Sequence, residues 1–286
     1  MRNYLDKYLD ELRSKNFADN TISSYSFQLA KFIDFAGDIR PSDITSELVE
    51  AYRSSLVATN HPNTVNYHLI ALRNFLKFLN KKGVNSLFPE EIELGKVITP
   101  ETTFLEDPEV DKLLSAVDVR TKTGKRDRAI IQTLLATGLR VSELVSLQTK
   151  QINFIEKSFT IRGKGGKLRI GFLTNPAESS IKVWLVSRTD TNPYLFVSNR
   201  EHNPNKLTSR AVERIIKKYV LKAGIEKRVS PHTFRHTYAT ALLRKTNNIK
   251  VVGELLGHAS LATTSRYTHL TNQDLRTAYF AANKPL

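Results

Sequence analysis

The residues able to do chemistry fall into four short segments, all beyond residue 136. In Thr137-Gly138-Leu139-Arg140-Val141-Ser142-Glu143-Leu144, Arg140 follows a helix-ending glycine and sits among apolar residues. A guanidinium there is costly unless it is paired or binds an anion, and Glu143 three residues on leaves both options open. Gly163-Lys164-Gly165-Gly166-Lys167 places flexible lysines where two strands turn. It lacks the G-x-x-x-x-G-K-[ST] spacing of a nucleotide-triphosphate loop, so a phosphate contact and a solvated hairpin tip both fit. In Ser230-Pro231-His232-Thr233-Phe234-Arg235-His236, Ser230 suits an N-cap and Pro231 the first helical position, which puts His232 and Arg235 on one face. His232 and His236 have the spacing of a zinc pair, but the glutamate of H-E-x-x-H is missing and Arg235 repels a cation. An anion at the helix N-terminus is the better fit, and no metal is expected. In the fourth segment Gly257 closes one helix, His258 sits at the turn, and Ser260 can cap a helix that carries Tyr267. Taken alone, that segment has the outline of a helix–turn–helix, and Tyr267 could equally be a packed aromatic.

Elements of two kinds must position these groups. The first hundred residues carry helical periodicity throughout. Asn20-Thr21 opens a helix to about Ala36 with Ile22, Tyr25, Leu29, Phe32 and Ile33 on one stripe. A second has Ile44, Leu48, Ala51 and Tyr52 apolar. The longest runs from about Asn63 to Leu79 on Val65, Leu69, Leu72, Leu76 and Leu79. On its other side Asn66, Arg73 and Lys77 are candidate phosphate contacts, as is Lys167 in the lysine turn; for the three on the helix a solvated face is the alternative. Residues 84–101 lose the period, contain Pro89 and Pro100, and are read as a linker between a unit at 1–83 and another at 102–286. In the second unit helices are expected at Pro108–Val117, Arg126–Thr137 and from Thr208 onward. Period two at Phe159, Ile161 and then Leu168, Ile170, Phe172 predicts two strands joined across the lysine turn, with Tyr194-Leu195-Phe196 a candidate third. The fold class expected is mainly α with a small β-sheet, α+β.

Composition narrows the partner. The net charge is +15, yet residues 1–100 hold 12 basic and 12 acidic residues, so all of the excess lies in residues 101–286. A basic unit attracts polyanions through counterion release. The absence of cysteine excludes disulfides, thiolate metal sites and a cysteine nucleophile. The N-terminal MRNYLDKYLDELRSKNF has no apolar run of signal-peptide kind, and no stretch approaches the roughly 20 apolar residues of a membrane span. A cytoplasmic protein that does not engage membrane is expected.

The four segments are far less ambiguous together. Arg140, Lys164, His232-x-x-Arg235, then His258 and, nine residues later, Tyr267 occur in the order and context of the tyrosine recombinases. The chain resembles that integrase family, most of all its Xer-type branch, through TGLRVSEL, GKGGK, PHTFRHT and LLGHASLATTSRYTH. The resemblance covers residues 101–286 and extends more weakly over the N-terminal helices. Gly253 departs from the pattern, since relatives usually carry a longer polar residue there. Glycine weakens a helix interior by about 1 kcal/mol relative to alanine, which touches local stability and not the chemistry.

The resemblance implies a helical SAM-like core-binding domain followed by a tyrosine-recombinase catalytic domain, the two closing as a clamp on duplex DNA. It implies that Tyr267 attacks a scissile phosphate, giving a 3′-phosphotyrosyl intermediate and a free 5′-hydroxyl that permit rejoining without ATP. Arg140 and Arg235 would grip the non-bridging oxygens, Lys164 would protonate the departing oxygen, His232 would handle the tyrosine proton and His258 would bond the phosphate. Glu143 would orient Arg140. No cofactor is implied. Four protomers would act on two double-stranded sites, with the tail helix Leu275–Ala282 packed on a neighbouring protomer. Chromosome dimer resolution is the implied role; a mobile-element integrase, a relaxing topoisomerase and a non-catalytic DNA-binding protein are the alternatives.

Overall fold

A computed structural model of the chain describes residues 1–96, 103–162, 168–199, 204–246, 248–257 and 279–281. The chain divides into two compact units, Met1–Pro100 and Glu101–Leu286. The first unit is built on helices α1 (Arg2–Ser14), α2 (Asp19–Ala36), α3 (Ser46–Val57) and α4 (Pro62–Lys81). α4 starts where the His61 ring accepts a bond from the Asn63 amide, with Pro62 at the first helical position. Its apolar face is wider than one stripe: Leu69, Ala71, Leu72, Phe75, Leu76 and Leu79 are all fully enclosed by α1, α2 and α3. Burying each leucine of that set is worth about 1.5–3 kcal/mol, enough to make α4 the axis of the unit.

Residues 84–96 belong to this unit and do not form a free linker. Ile92 is buried in the helical core and Pro89–Glu91 forms a 3-10 turn against α4. Asn66 explains the attachment. Its side-chain amide donates to the Gly95 carbonyl and accepts from the Gly95 amide, both at 2.9 Å. Asn66 is therefore buried and satisfied by the chain's own backbone, which corrects the expectation that it contacts DNA.

In the second unit α5 (Asp107–Ser115) precedes α6 (Lys122–Thr137), followed by the short α7 (Val141–Ser146). Strands β1 (Ile152–Asn153), β2 (Ser158–Arg162) and β3 (Leu168–Phe172) make an antiparallel sheet in the order β1-β2-β3. Then come α8 (Asn175–Val186), α9 (Ser209–Lys222), α10 (Pro231–Thr246) and α11 (Ile249–Leu256). α6 is the central helix, with Ala129, Ile130, Ile131 and Leu134 fully buried and α8, α10 and α9 packed around it.

One feature of the sheet differs from the expectation, and its register adds a second finding. The third strand is Ile152–Asn153, while Tyr194-Leu195-Phe196 makes only an isolated bridge to Gln148. The backbone bonds of that segment are divided among Leu147, Trp184, Arg188, Asn192 and Leu207, so no one neighbour pairs with it continuously. The register also pairs Phe159 with Gly171 and Ile161 with Arg169. Opposed residues share a face, so Phe159 and Ile161 lie on one side of the hairpin and Ile170 and Phe172 on the other. Phe159 and Ile161 join the main core, and Phe172 joins a second cluster with Tyr238, Leu255, Leu256 and Tyr279.

Candidate active site

The site is assembled where α6 and α11 end. α6 stops at Gly138, which adopts a left-handed conformation with φ +57°. A Cβ there would lie 2.6 Å from the Tyr238 ring and 2.8 Å from Leu256, so only glycine lets the helices close this tightly. Arg140 follows as the N-cap of α7. Glu143, at the third position of that helix, accepts the Arg140 amide at 2.8 Å through one oxygen and the Arg140 guanidinium at 3.0 Å through the other. The i, i+3 spacing thus caps the helix and aims the arginine in a single contact. Glu143 is buried, whereas the Arg140 side chain remains 32% exposed.

Arg235 comes from the second turn of α10, whose start is set by Pro231 and by the Thr233 hydroxyl accepting the Ser230 amide at 3.1 Å. Its guanidinium donates to the Gly138 carbonyl at 2.8 Å and the Leu256 carbonyl at 2.7 Å, joining the ends of α6 and α11. Helix C-termini carry partial negative charge, which offsets part of the cost of enclosing this cation. The offset is incomplete. Burial, followed by the nearby Arg140 and Arg169 charges, lowers the pKa of Arg235 to about 10.

Arg169 is a member of this group that the sequence reading missed. From β3 it donates to Glu143 at 2.8 Å and to the Leu255 carbonyl at 2.5 Å. Two guanidinium groups therefore share the Glu143 carboxylate with the Arg235 charge close by, a local excess of positive charge suited to an anion. His232, one turn before Arg235 on α10, is exposed. His236 is exposed as well, and partial desolvation by the packed helix, with its neighbours His232 and Arg235, lowers its pKa, an environment unsuited to a cation. Among the described residues no cluster of His, Cys, Asp or Glu could hold a metal ion.

Lys164, Lys167, His258 and Tyr267 lie outside the described residues. Of the expected tail helix, residues 279–281 are described. Tyr279 is fully buried in its own chain, where its hydroxyl donates to the Ala136 carbonyl at 2.9 Å and its ring meets Phe172 at 5.5 Å. In the single chain this part of the tail packs on the second cluster, which supplies an aromatic seat.

Two further surfaces are basic. On α4, Lys77 is exposed and Arg73 half-buried, and neither forms an ion pair among the described residues. On α9, Arg210, Arg214, Lys217, Lys218 and Lys222 are exposed opposite the buried Val212, Ile216, Tyr219 and Val220. Their helical spacing was the signal for this face, which sequence reading passed over. Among the described residues no helix is long and apolar enough to cross a membrane.

Comparison with known proteins agrees with this layout. Residues 103–274 match the phage integrase family, and residues 4–85 match the phage integrase N-terminal SAM-like domain. The tyrosine recombinase XerA of Pyrococcus furiosus is 37% identical, the alignment covering 98% of this chain and 93% of that one. The tyrosine recombinase XerC of Oceanobacillus iheyensis is 33% identical over 98% of this chain and 95% of its own. Among solved structures, the XerH site-specific recombinase bound to palindromic difH substrate, a post-cleavage complex, superposes with a TM-score of 0.71 at 26% identity. That match covers 96% of this chain and 82% of the other.

Proposed function

The chain belongs to the phage integrase family, the tyrosine recombinases, and from that membership we propose that it is an Xer-type site-specific recombinase that resolves chromosome dimers. The observation that supports the reading best is the under-neutralised cluster in which Arg140 and Arg169 share Glu143 beside Arg235, with Arg140 open to solvent. A phosphodiester carries one negative charge, and a second develops as a nucleophile adds. Fixed guanidinium groups stabilise that added charge without reorganising.

In the reaction, the Tyr267 hydroxyl attacks the scissile phosphorus. An oxygen–phosphorus bond to tyrosine forms, and the bond to the 5′-oxygen breaks. Tyrosine has an ordinary pKa of about 10, so its proton must be taken up as it attacks, and His232 accepts it. Lys164 gives a proton to the departing 5′-oxygen. His258 donates to a phosphate oxygen, and Arg140 and Arg235 hold the non-bridging oxygens. The products are a 3′-phosphotyrosine and a 5′-hydroxyl. Attack by the 5′-hydroxyl of a second strand reverses the steps and regenerates Tyr267, so the phosphodiester bond energy is conserved.

The partner is double-stranded DNA bearing a recombination site. Arg73 and Lys77 on α4, the basic face of α9 and Lys167 serve as phosphate contacts, which fix position rather than sequence. Strand exchange between two sites requires four protomers. Passing the tail to a neighbour then requires Tyr279 to leave the seat it occupies in the single chain, which makes release of the tail a step of assembly.

The direct test is incubation of the protein with nicked site DNA, followed by denaturing electrophoresis. A covalent protein–DNA band is expected from the wild type and none from Tyr267→Phe. Tight binding without a band would make this a DNA reader, and a band that survives in the variant would mean another nucleophile.

A further inference from the structure

We infer that Arg169 is a positioning residue for strand cleavage, holding Arg140 and the end of α11 in register with each other. The inference builds on the recombinase reading and adds to it a residue outside the six assigned to the chemistry. Arg169 reaches two acceptors that no other described side chain joins. One is the Glu143 carboxylate, whose other oxygen holds the Arg140 guanidinium; the second is the Leu255 carbonyl. Leu256, the next residue, gives its carbonyl to Arg235. Two arginines thus hold consecutive carbonyls of the last turn of α11, directly before Gly257 and His258.

The fit is close. Arg169 crosses Gly257, where φ is +62° and a Cβ would sit 2.7 Å from the Arg169 Cδ and 3.0 Å from its Nε. The arginine Nε is buried with no hydrogen-bond partner, and its side chain is only 11% exposed. Enclosing a cation with one donor unpaired costs folding free energy, against which Arg169 has only the bonds to Glu143 and the Leu255 carbonyl among the described residues.

The electrostatic consequence is specific. With Arg169 present, Glu143 divides its charge between two guanidinium groups, and Arg140 keeps donors for the phosphate. Without it, the full carboxylate charge falls on Arg140, which is drawn toward Glu143 and away from the anion. One positive charge also leaves the site.

The test uses the full chain on nicked site DNA, with cleavage rate and site affinity measured for Arg169→Ala, Arg169→Lys, Glu143→Gln and the double variants. Arg169→Ala should cleave about 10- to 100-fold more slowly, the usual cost of losing a supporting hydrogen bond one layer behind the reacting groups, with affinity for the site nearly unchanged. Adding Glu143→Gln to Arg169→Ala should restore part of the rate, because it removes the charge left uncompensated. Lysine, which keeps the charge but reaches one acceptor at a time, should fall between alanine and wild type. A packing role predicts no such rescue. Wild-type cleavage by Arg169→Ala, or a double variant no faster than the single, would overturn the inference. If Arg169→Ala does not fold, the same comparison made on Arg169→Gln, which removes the charge but keeps most of the side-chain bulk, decides, and absence of rescue there overturns it equally. No covalent adduct from the wild type would overturn the recombinase reading, and this inference with it.

Discussion

The two ends of α6 each carry an arginine–carboxylate cluster, and the two clusters are built on opposite rules. At the start of the helix Arg126 and Asp127 are almost entirely buried, with side chains 7% and 1% exposed. Arg126 donates twice to one Asp127 oxygen, at 3.0 and 2.7 Å, and again to Asn199 and the Val197 carbonyl. The Tyr219 hydroxyl donates to the other Asp127 oxygen at 3.0 Å, and burial with that carboxylate nearby raises the tyrosine pKa. One cation meets one anion, and every nitrogen of the guanidinium donates to a partner within the protein. At the far end Arg140 and Arg169 share Glu143, Arg235 beside them is bonded to the Gly138 and Leu256 carbonyls, and Arg140 faces solvent. The first cluster is closed and needs nothing further; the second is left short of negative charge. That difference, more than the presence of arginine, distinguishes an anion site from a structural ion pair.

Substitutions at the two ends should therefore fail in different ways. The largest effect is expected at Arg235. Arg235→Lys keeps the charge but cannot fork onto the Gly138 and Leu256 carbonyls while also facing a phosphate. Cleavage should fall about 100- to 1000-fold with binding retained, as for loss of one oriented transition-state donor. Single-turnover cleavage and site affinity measured on the same preparations check this, and parallel loss of both would break the contrast. Next is Asp127→Asn, which leaves Arg126 enclosed without a counter-charge. It should cost about 2–3 kcal/mol of stability and leave cleavage per folded molecule unchanged, as measured by denaturant unfolding beside the cleavage assay.

The smallest effect sharpens the rule in the other unit, where Tyr52 and His68 form a buried pair at 2.8 Å. Burial lowers the pKa of His68 in the folded state. The unfolded chain, with histidine near pKa 6.5, then binds the proton more readily, so stability falls as pH drops below about 6.5 and levels off beneath the folded pKa. Urea unfolding of the first unit followed from pH 7.5 to 5 should show this loss, reduced in His68→Gln. An identical pH dependence in the variant would assign the loss to other groups.

Much of this was legible in the sequence where the determining contacts are local. Arg140 and Glu143 are three residues apart, and the capping contact follows from helical geometry. The same holds for Pro231 at the start of α10 and for the paired glycines Gly138 and Gly257. What stayed hidden depends on contacts across long separations. Arg169 alternates with Leu168, Ile170 and Phe172 along its strand, so period two marks it as an outward-facing polar residue. Its partners Glu143 and Leu255 lie 26 and 86 residues away. Asn66 likewise has the look of a solvated helix residue until Gly95 folds back onto it. The two apolar stripes of the hairpin were visible, but the register that sends them to opposite faces was not. Pairing offset is set by what packs on each side, and no strand carries that information alone.

The central claim is that Tyr267 is the residue that attacks the phosphate held by this arginine cluster. It is tested most directly by protease digestion of the covalent adduct formed on nicked site DNA, with mass spectrometry of the nucleotide-bearing peptide. One modified peptide is expected, carrying a 3′-linked nucleotide on the Tyr267 oxygen. A nucleotide mapped to any other residue, or cleaved DNA with no modified peptide, would contradict it.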